Sequence, residues 1–166
     1  MARRMVRCAS EDVGNADPQA LGVAINAMEA FKFIGPPEGE LALAQASVYL
    51  ANAPKSNRIY TAYKKVQGVI EKSGTLPVPL HIRNAPTNLM KALYYGKGYK
   101  YGHDYQDAYV SQEYLPEELR GQQYYFPTER GFEKIIKQRL EKWRKIKKSQ
   151  PSNSKGQHDL EGYRSK

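Results

Sequence analysis

Residues 76–105, LPVPLHIRNAPTNLMKALYYGKGYKYGHDY, constrain this chain more than any other stretch. Pro77 and Pro79 fix φ and remove backbone donors, and they push the residues before them out of helical space. The chain is therefore expected to be extended through Leu80. Asn84-Ala85-Pro86-Thr87 reads as a helix start, followed by a short helix with Leu89, Met90 and Leu93. Gly96, Gly98 and Gly102 then break helical order. Nine of the 13 tyrosines lie between Tyr94 and Tyr125. Such a stretch is either packed between helices or is a working surface, and helical patterns flank it on both sides. Tyr-Lys-Tyr at 99–101 within it and the run 123–126 beyond it read as possible short strands, with one helical turn at 116–120 between them.

Upstream, residues 2–12 form a helical pattern with Met5, Cys8 and Ala9 on one face. No N-cap residue precedes Ala2, as expected of a chain cut from something longer. Gly14 ends this helix. Asp17-Pro18 restarts the chain as an N-cap followed by Pro at the first helical position. The predicted helix 18–34 has Leu21, Ile25, Met28, Phe31 and Ile34 on one side, and Gly35-Pro36-Pro37 stops it. The next, 38–52, carries Leu41, Ala44, Gln45, Val48 and Leu50, and Ala42, Ala44, Ala46 and Ala51 admit a close neighbour. Ile59, Tyr63, Val66 and Ile70 mark a helix over 56–72, capped by Gly74. The short loops predict successive, roughly antiparallel neighbours. Thr128 caps a last helix over 129–147, with an apolar stripe of Phe132, Ile135, Ile136, Leu140, Trp143 and Ile146. From Ser149 the chain is a polar tail, expected to be disordered. The fold class is mainly α, with an irregular Pro/Gly/Tyr-rich segment and possible short strands.

The chain's 166 residues suffice for one domain with a real core. The net charge of +9 is unevenly placed. Residues 131–166 hold 11 Lys/Arg against 4 Asp/Glu, and residues 1–130 hold 15 against 13. The basic character therefore belongs to the last helix and tail. It is either a solvated helix face or an attractor of phosphate. No apolar run approaches the ~18–20 residues of a membrane span, so no membrane partner is expected. The start lacks the apolar core of a signal peptide. Cys8, the one cysteine, makes no internal disulfide, which fits a reducing, cytoplasmic setting.

Catalytic motifs are missing from the sequence. Gly96-Lys97-Gly98 is not a phosphate-binding loop, because Gly98 stands where Ser or Thr is required. His81, His103 and His158 are scattered and far from Cys8, against a zinc site. Cys8 with either of the first two would be a nucleophile pair, but its apolar helical face points to an inert cysteine. His103-Asp104 has the form of an oriented base, with a structural histidine the plainer reading. Glu11-Asp12 sits near a helix C-terminus, where negative charge needs partners. The expectation is no catalytic, cofactor-binding or metal-binding residue in this chain.

Two binding readings remain. Lys97, Lys100 and the surrounding tyrosines have the makings of a stacking platform for single-stranded nucleic acid. Lys142, Arg144 and Lys145 on the last helix are further candidate DNA contacts. The other reading fills gaps between helices or copies with these rings. Leu41, Val48, Leu76, Pro77, Pro79, Tyr94 and Tyr95 are the candidate core-packing or self-association residues.

Four consecutive blocks also carry a family resemblance. They are ARRMVRCASEDVGNADPQAL, PEGELALAQASVYLANAPKSNRIYTAY, LPVPLHIRNAPTNLMKALYYGKGYKYGHDY and YLPEELRGQQYYFPTERGFEKIIKQRL. Over residues 2–142 the chain resembles the C-terminal part of the replication-associated recombination protein A family (RarA, also MgsA). That family includes the Werner-helicase-interacting AAA+ ATPases. The resemblance implies that residues 1–14 are the end of an AAA+ lid or a junction helix. It implies that 15–148 form a helical oligomerisation domain akin to clamp-loader collars and assemble a homotetramer; 149–166 are the tail. The family's P-loop, Walker B acid and arginine finger have no counterpart here, so ATP and magnesium are implied only for full-length members. Those are implied to be DNA-dependent ATPases at stalled replication forks, in the nucleoid-associated cytoplasm. DNA, single-stranded DNA-binding protein and other replication-fork proteins are the implied partners. The alternative is a single-stranded nucleic-acid-binding helical module using the Lys/Tyr segment and the basic last helix.

Overall fold

The computed structural model describes residues 1–105 and 108–149. The expected disorder of the tail, and His158, lie outside the described residues. The described chain is mainly α-helical, with helices α1 (Ala2–Cys8), α2 (Ala20–Ile34), α3 (Glu40–Asn52), α4 (Arg58–Ser73), α5 (Asn88–Ala92) and α6 (Glu133–Ser149). None of them is long and apolar enough to cross a membrane.

α1 does not stop at Cys8. It widens into a π-helical turn, Ala9–Val13, and then tightens into a 3-10 turn, Gly14–Ala16. Gly14 has φ +53°, and a Cβ there would stand 2.8 Å from the Ser56 carbonyl oxygen, so the close approach of the 56 loop needs glycine. The Ser56 N–H donates to the Asp12 carbonyl at 2.7 Å across the same contact. Asp17 caps the restart through its Oδ1, which accepts the Gln19 N–H at 3.0 Å, and regular helix begins at Ala20.

α1, α2 and α3 pack together around Met5, Ala9, Val13, Ala20, Ala24, Ala27, Leu43, Ala46 and Leu50. The spacing 20, 24, 27 on α2 and 43, 46, 50 on α3 is helical, as expected, but the buried face differs from the one expected. Leu21, Ile25 and Ile34 face outward, as do Leu41 and Val48. On α2 the buried stripe is all alanine, which lets α3 approach more closely than a row of leucine and isoleucine would, and on α3 Leu43 and Leu50 pack against it beside Ala46. The bulky faces are left on the surface.

α4 has no buried residue, although its apolar side is well formed. The irregular segment 74–131 lies beyond it, punctuated by 3-10 turns at Leu80–Ile82, Gly102–Asp104 and Glu117–Leu119 and by α5. Thr87 Oγ1 accepts the Met90 N–H at 3.2 Å and caps α5. Among the described residues there is no strand, which corrects the expectation for 99–101 and 123–126. Their backbones are satisfied by side chains instead. The Lys100 N–H donates to Gln112 Oε1 at 2.8 Å, and the Gln123 carbonyl accepts from Lys65 Nζ at 3.0 Å.

Candidate functional site

A buried carboxylate, Glu133, gathers hydrogen bonds from Ser56, Tyr125 and Thr128. Glu133, at the start of α6, is 0% exposed and has no cationic partner among the described residues. Its Oε2 accepts from the Thr128 N–H at 2.8 Å, the Thr128 hydroxyl at 2.7 Å and the Ser56 hydroxyl at 2.8 Å. Its Oε1 accepts the Tyr125 hydroxyl at 2.7 Å. Burial pushes this carboxyl up, but the donors from Thr128, Tyr125 and Ser56 outweigh it, and the group sits below its ordinary value. Burial, and then the bond to Glu133, push the Tyr125 hydroxyl up to about 12. Asn15 Nδ2 donates to that hydroxyl at 3.3 Å.

Backbone contacts surround the carboxylate. The Phe132 N–H donates to the Ala16 carbonyl at 2.8 Å, and an Arg130 guanidinium N–H to the Lys55 carbonyl at 3.2 Å. Gly131 has φ +51°, and a Cβ there would lie 2.1 Å from the Ala16 oxygen. The 14–16 turn, the 55–56 loop and the start of α6 thus form one hydrogen-bonded joint. Sequence reading missed Glu133, Tyr125, Ser56 and Gly131 as a group. The available signal was a Thr followed at short range by Gly and Glu ahead of an apolar run, a variant of the capping box.

The residues weighed for chemistry in the sequence lie outside this joint. Cys8 is half-buried, and burial and Asp12 push its thiol up, away from the low values of reactive cysteines. His81 is tied through Nε2 to the Glu113 carbonyl at 2.7 Å. His103 lies on a 3-10 turn with its ring 5.1 Å from that of Tyr101. Among the described residues no His, Cys, Asp or Glu groups gather as metal ligands. Glu11 pairs with Arg7 at 2.7 Å along the helix.

The candidate binding residues fall into two places. On α3, Leu41 is 75% and Val48 65% exposed, and Phe33 at the end of α2 is 92% exposed. Pro77 is exposed, and Leu76 and Pro79 are half-buried. Tyr94 stands out from the surface at φ +62° with the Lys97 ammonium 4.6 Å from its ring centre. Tyr95 is half-buried, and its hydroxyl accepts from Arg83 Nη1 at 3.2 Å. Residues 112–113 link the lysine segment to the last helix. Gln112 holds the Lys100 backbone, and Glu113 pairs with Lys147 at 3.1 Å. Lys142 and Lys145 are exposed on α6 and Arg144 half-buried. The Trp143 ring stacks on Tyr109, with centroids 5.5 Å apart and 5° between planes.

The family model described as MgsA AAA+ ATPase C terminal matches residues 1–144. The replication-associated recombination protein A of Coxiella burnetii is 54% identical over 147 residues, covering 88% of this chain and 33% of the relative. That of Escherichia coli K12 is 52% identical over 141 residues, covering 84% and 32%. The ATPase WRNIP1 of Dictyostelium discoideum is 47% identical over 126 residues, covering 75% and 14%. The chain spans about a third of the length of the bacterial relatives it matches. The chain belongs to the MgsA AAA+ ATPase C-terminal family.

Proposed function

We infer that this domain self-associates and so assembles the ATPase modules of a longer protein into a homotetramer. The observation that carries this reading is the set of bulky apolar side chains left outside the core. The core holds five alanines with Met5, Val13, Leu43 and Leu50, while Phe33, Leu41 and Val48 stand in water. Scattered exposed leucines are normal, but bulky side chains lined along two packed helices call for a covering surface. α4 adds Ile59, Tyr63 and Ile70, all exposed on one side. A second copy supplies an apolar partner of the same kind, with closed symmetry.

The joint at Glu133 suits such a role. It fixes α6 and the chain's first turns relative to one another without using the exposed faces. In this reading the full-length protein binds ATP and magnesium in its own separate module. It acts in replication-associated recombination in the nucleoid-associated cytoplasm, on DNA and beside single-stranded DNA-binding protein and other fork proteins. The relatives' names, replication-associated recombination protein A and ATPase WRNIP1, support the recombination and ATPase parts of that setting. Multi-angle light scattering at micromolar concentration tests the assembly. A mass four times that of the 18.9 kDa chain is expected, and a monomer at that concentration overturns the reading.

A further inference from the structure

The nine-tyrosine segment holds a cleft that the assembly reading does not use. It encloses about 520 Å³ and is lined by Arg83, Asn84, Gly96, Tyr99 and Tyr114 among others. That is within the roughly 300–1,000 Å³ of small-ligand sites. No carboxylate lines it. Tyr99 is 51% and Tyr114 54% exposed, so neither ring is spent on the core.

Arg83 is the unusual member. It is half-buried, its Nε donates to the Val78 carbonyl at 2.5 Å, and Nη1 donates to the Tyr95 hydroxyl at 3.2 Å. Its guanidinium lies 5.0 Å from the centre of the Tyr95 ring. Among the described residues it has no acidic partner. A cation held by carbonyl, hydroxyl and ring but not neutralised is prepared for an anion, because little ordering is left to do on binding.

Exposed aromatic faces beside a fixed arginine, with an amide able to bond a base edge, are what an unpaired nucleotide requires. Lys97 and Lys100 continue the positive charge along the chain beyond the cleft, as a strand longer than one residue would need. Glu113, next to Tyr114 in sequence, is paired with Lys147 and does not line the cleft. We propose that the cleft between Tyr99 and Tyr114 holds one unpaired base of a nucleic-acid single strand, with its neighbouring phosphate on Arg83. The site is distinct from the exposed faces of α2 and α3, and its occupancy does not depend on the assembly reading.

Fluorescence anisotropy of the whole chain with a labelled oligothymidylate, at one fixed salt concentration, tests this. Tyr99→Ala and Tyr114→Ala should each weaken binding roughly 5- to 100-fold, the loss expected for one stacked base. Tyr99→Phe and Tyr114→Phe, which keep the ring, should stay within about twofold of the parent. Alanine variants that bind like the parent, or phenylalanine variants that lose as much as alanine, overturn the proposal. An oligouridylate arm assigns the strand as DNA or RNA, and slot-dependent binding of either supports it. Displacement of the strand by thymidine monophosphate at comparable concentration shows a site for free nucleotides and overturns it. Photo-crosslinking a bromodeoxyuridine strand to the unaltered chain needs no variant to fold. Adducts on Tyr99 or Tyr114 are expected, and adducts confined to α6 overturn the assignment. Scattering mass recorded on the same samples keeps a failure of the cleft apart from a failure of assembly.

Discussion

Ser56 and Glu133, 77 residues apart, meet at 2.8 Å inside the protein, hydroxyl to carboxylate. Each is buried, and among the described residues Glu133 has no cationic partner. A buried charge survives without a counter-ion only when donors saturate it, and four do so here. Ser56→Ala removes one donor and should cost about 1 kcal/mol in urea unfolding. Glu133→Gln should cost about 1–3 kcal/mol, because an amide N–H replaces one acceptor position. Glu133→Ala should cost more than either, since it leaves Ser56, Tyr125 and the Thr128 N–H unpaired. A Glu133→Ala variant as stable as the parent would contradict the joint.

The same joint predicts a pH dependence at each end of the scale. The Glu133 carboxyl lies below its ordinary value in the folded state. Its contribution is complete above the unfolded value of ~4.3 and is lost as pH falls through the folded one. Tyr125 has the opposite sign. Its folded value is about 12, so its contribution is complete below the unfolded value of ~10 and is lost as pH rises through 12. Unfolding free energies across the acid range should fall less steeply in Glu133→Gln than in the parent. Across the alkaline range they should fall less steeply in Tyr125→Phe.

Two glycines separate backbone strain from collision. Gly121 has φ +77° with nothing near its absent Cβ, whereas at Gly131 the Ala16 oxygen is 2.1 Å away. Gly121→Ala should cost about 1–2 kcal/mol for the left-handed backbone alone. Gly131→Ala should lose about 1–3 kcal/mol more, because α6 must move away from the 14–16 turn. Thermal melts of the two variants side by side measure the difference.

A pair of α3 variants divides the inside of the domain from its outside. Leu41→Glu with Val48→Glu alters only exposed positions, 75% and 65% accessible. It should lower the scattering mass while far-UV circular dichroism stays unchanged. Ala46→Leu puts bulk into a position that is 1% exposed, between α2 and α3. It should cost about 1–3 kcal/mol of stability through overpacking. If the double glutamate variant kept its mass, the α3 surface would not be an interface.

The helices were legible in the sequence because periodicity and punctuation are local. Asp17, Thr87, Gly14, Gly35 and Gly74 mark boundaries within a few residues of where helices turn over. The expected strands failed for a related reason. Tyr-Lys-Tyr and the 123–126 run alternate correctly, but no local rule shows that Gln112 and Lys65 will occupy their backbone groups. Arg83 likewise gave no signal of its own, since a lone arginine in a proline-rich run becomes notable only when no acid is found beside it.

The sequence by itself determined the α-class, the extended passage at Pro77–Pro79, the basic last helix and the family to which the chain is similar. Each follows from spacing, dihedral limits or blocks of residue identity. Which side of each helix is inside was decided only by tertiary structure. On α2 and α3 both faces are apolar at helical period, so periodicity cannot choose between alanine and leucine. Close approach of the backbones chooses the alanines on α2, and Leu43 and Leu50 with Ala46 on α3. The joint at Glu133 is likewise tertiary, because its donors come from residues 56, 125 and 128, which only the folded chain brings to one carboxylate.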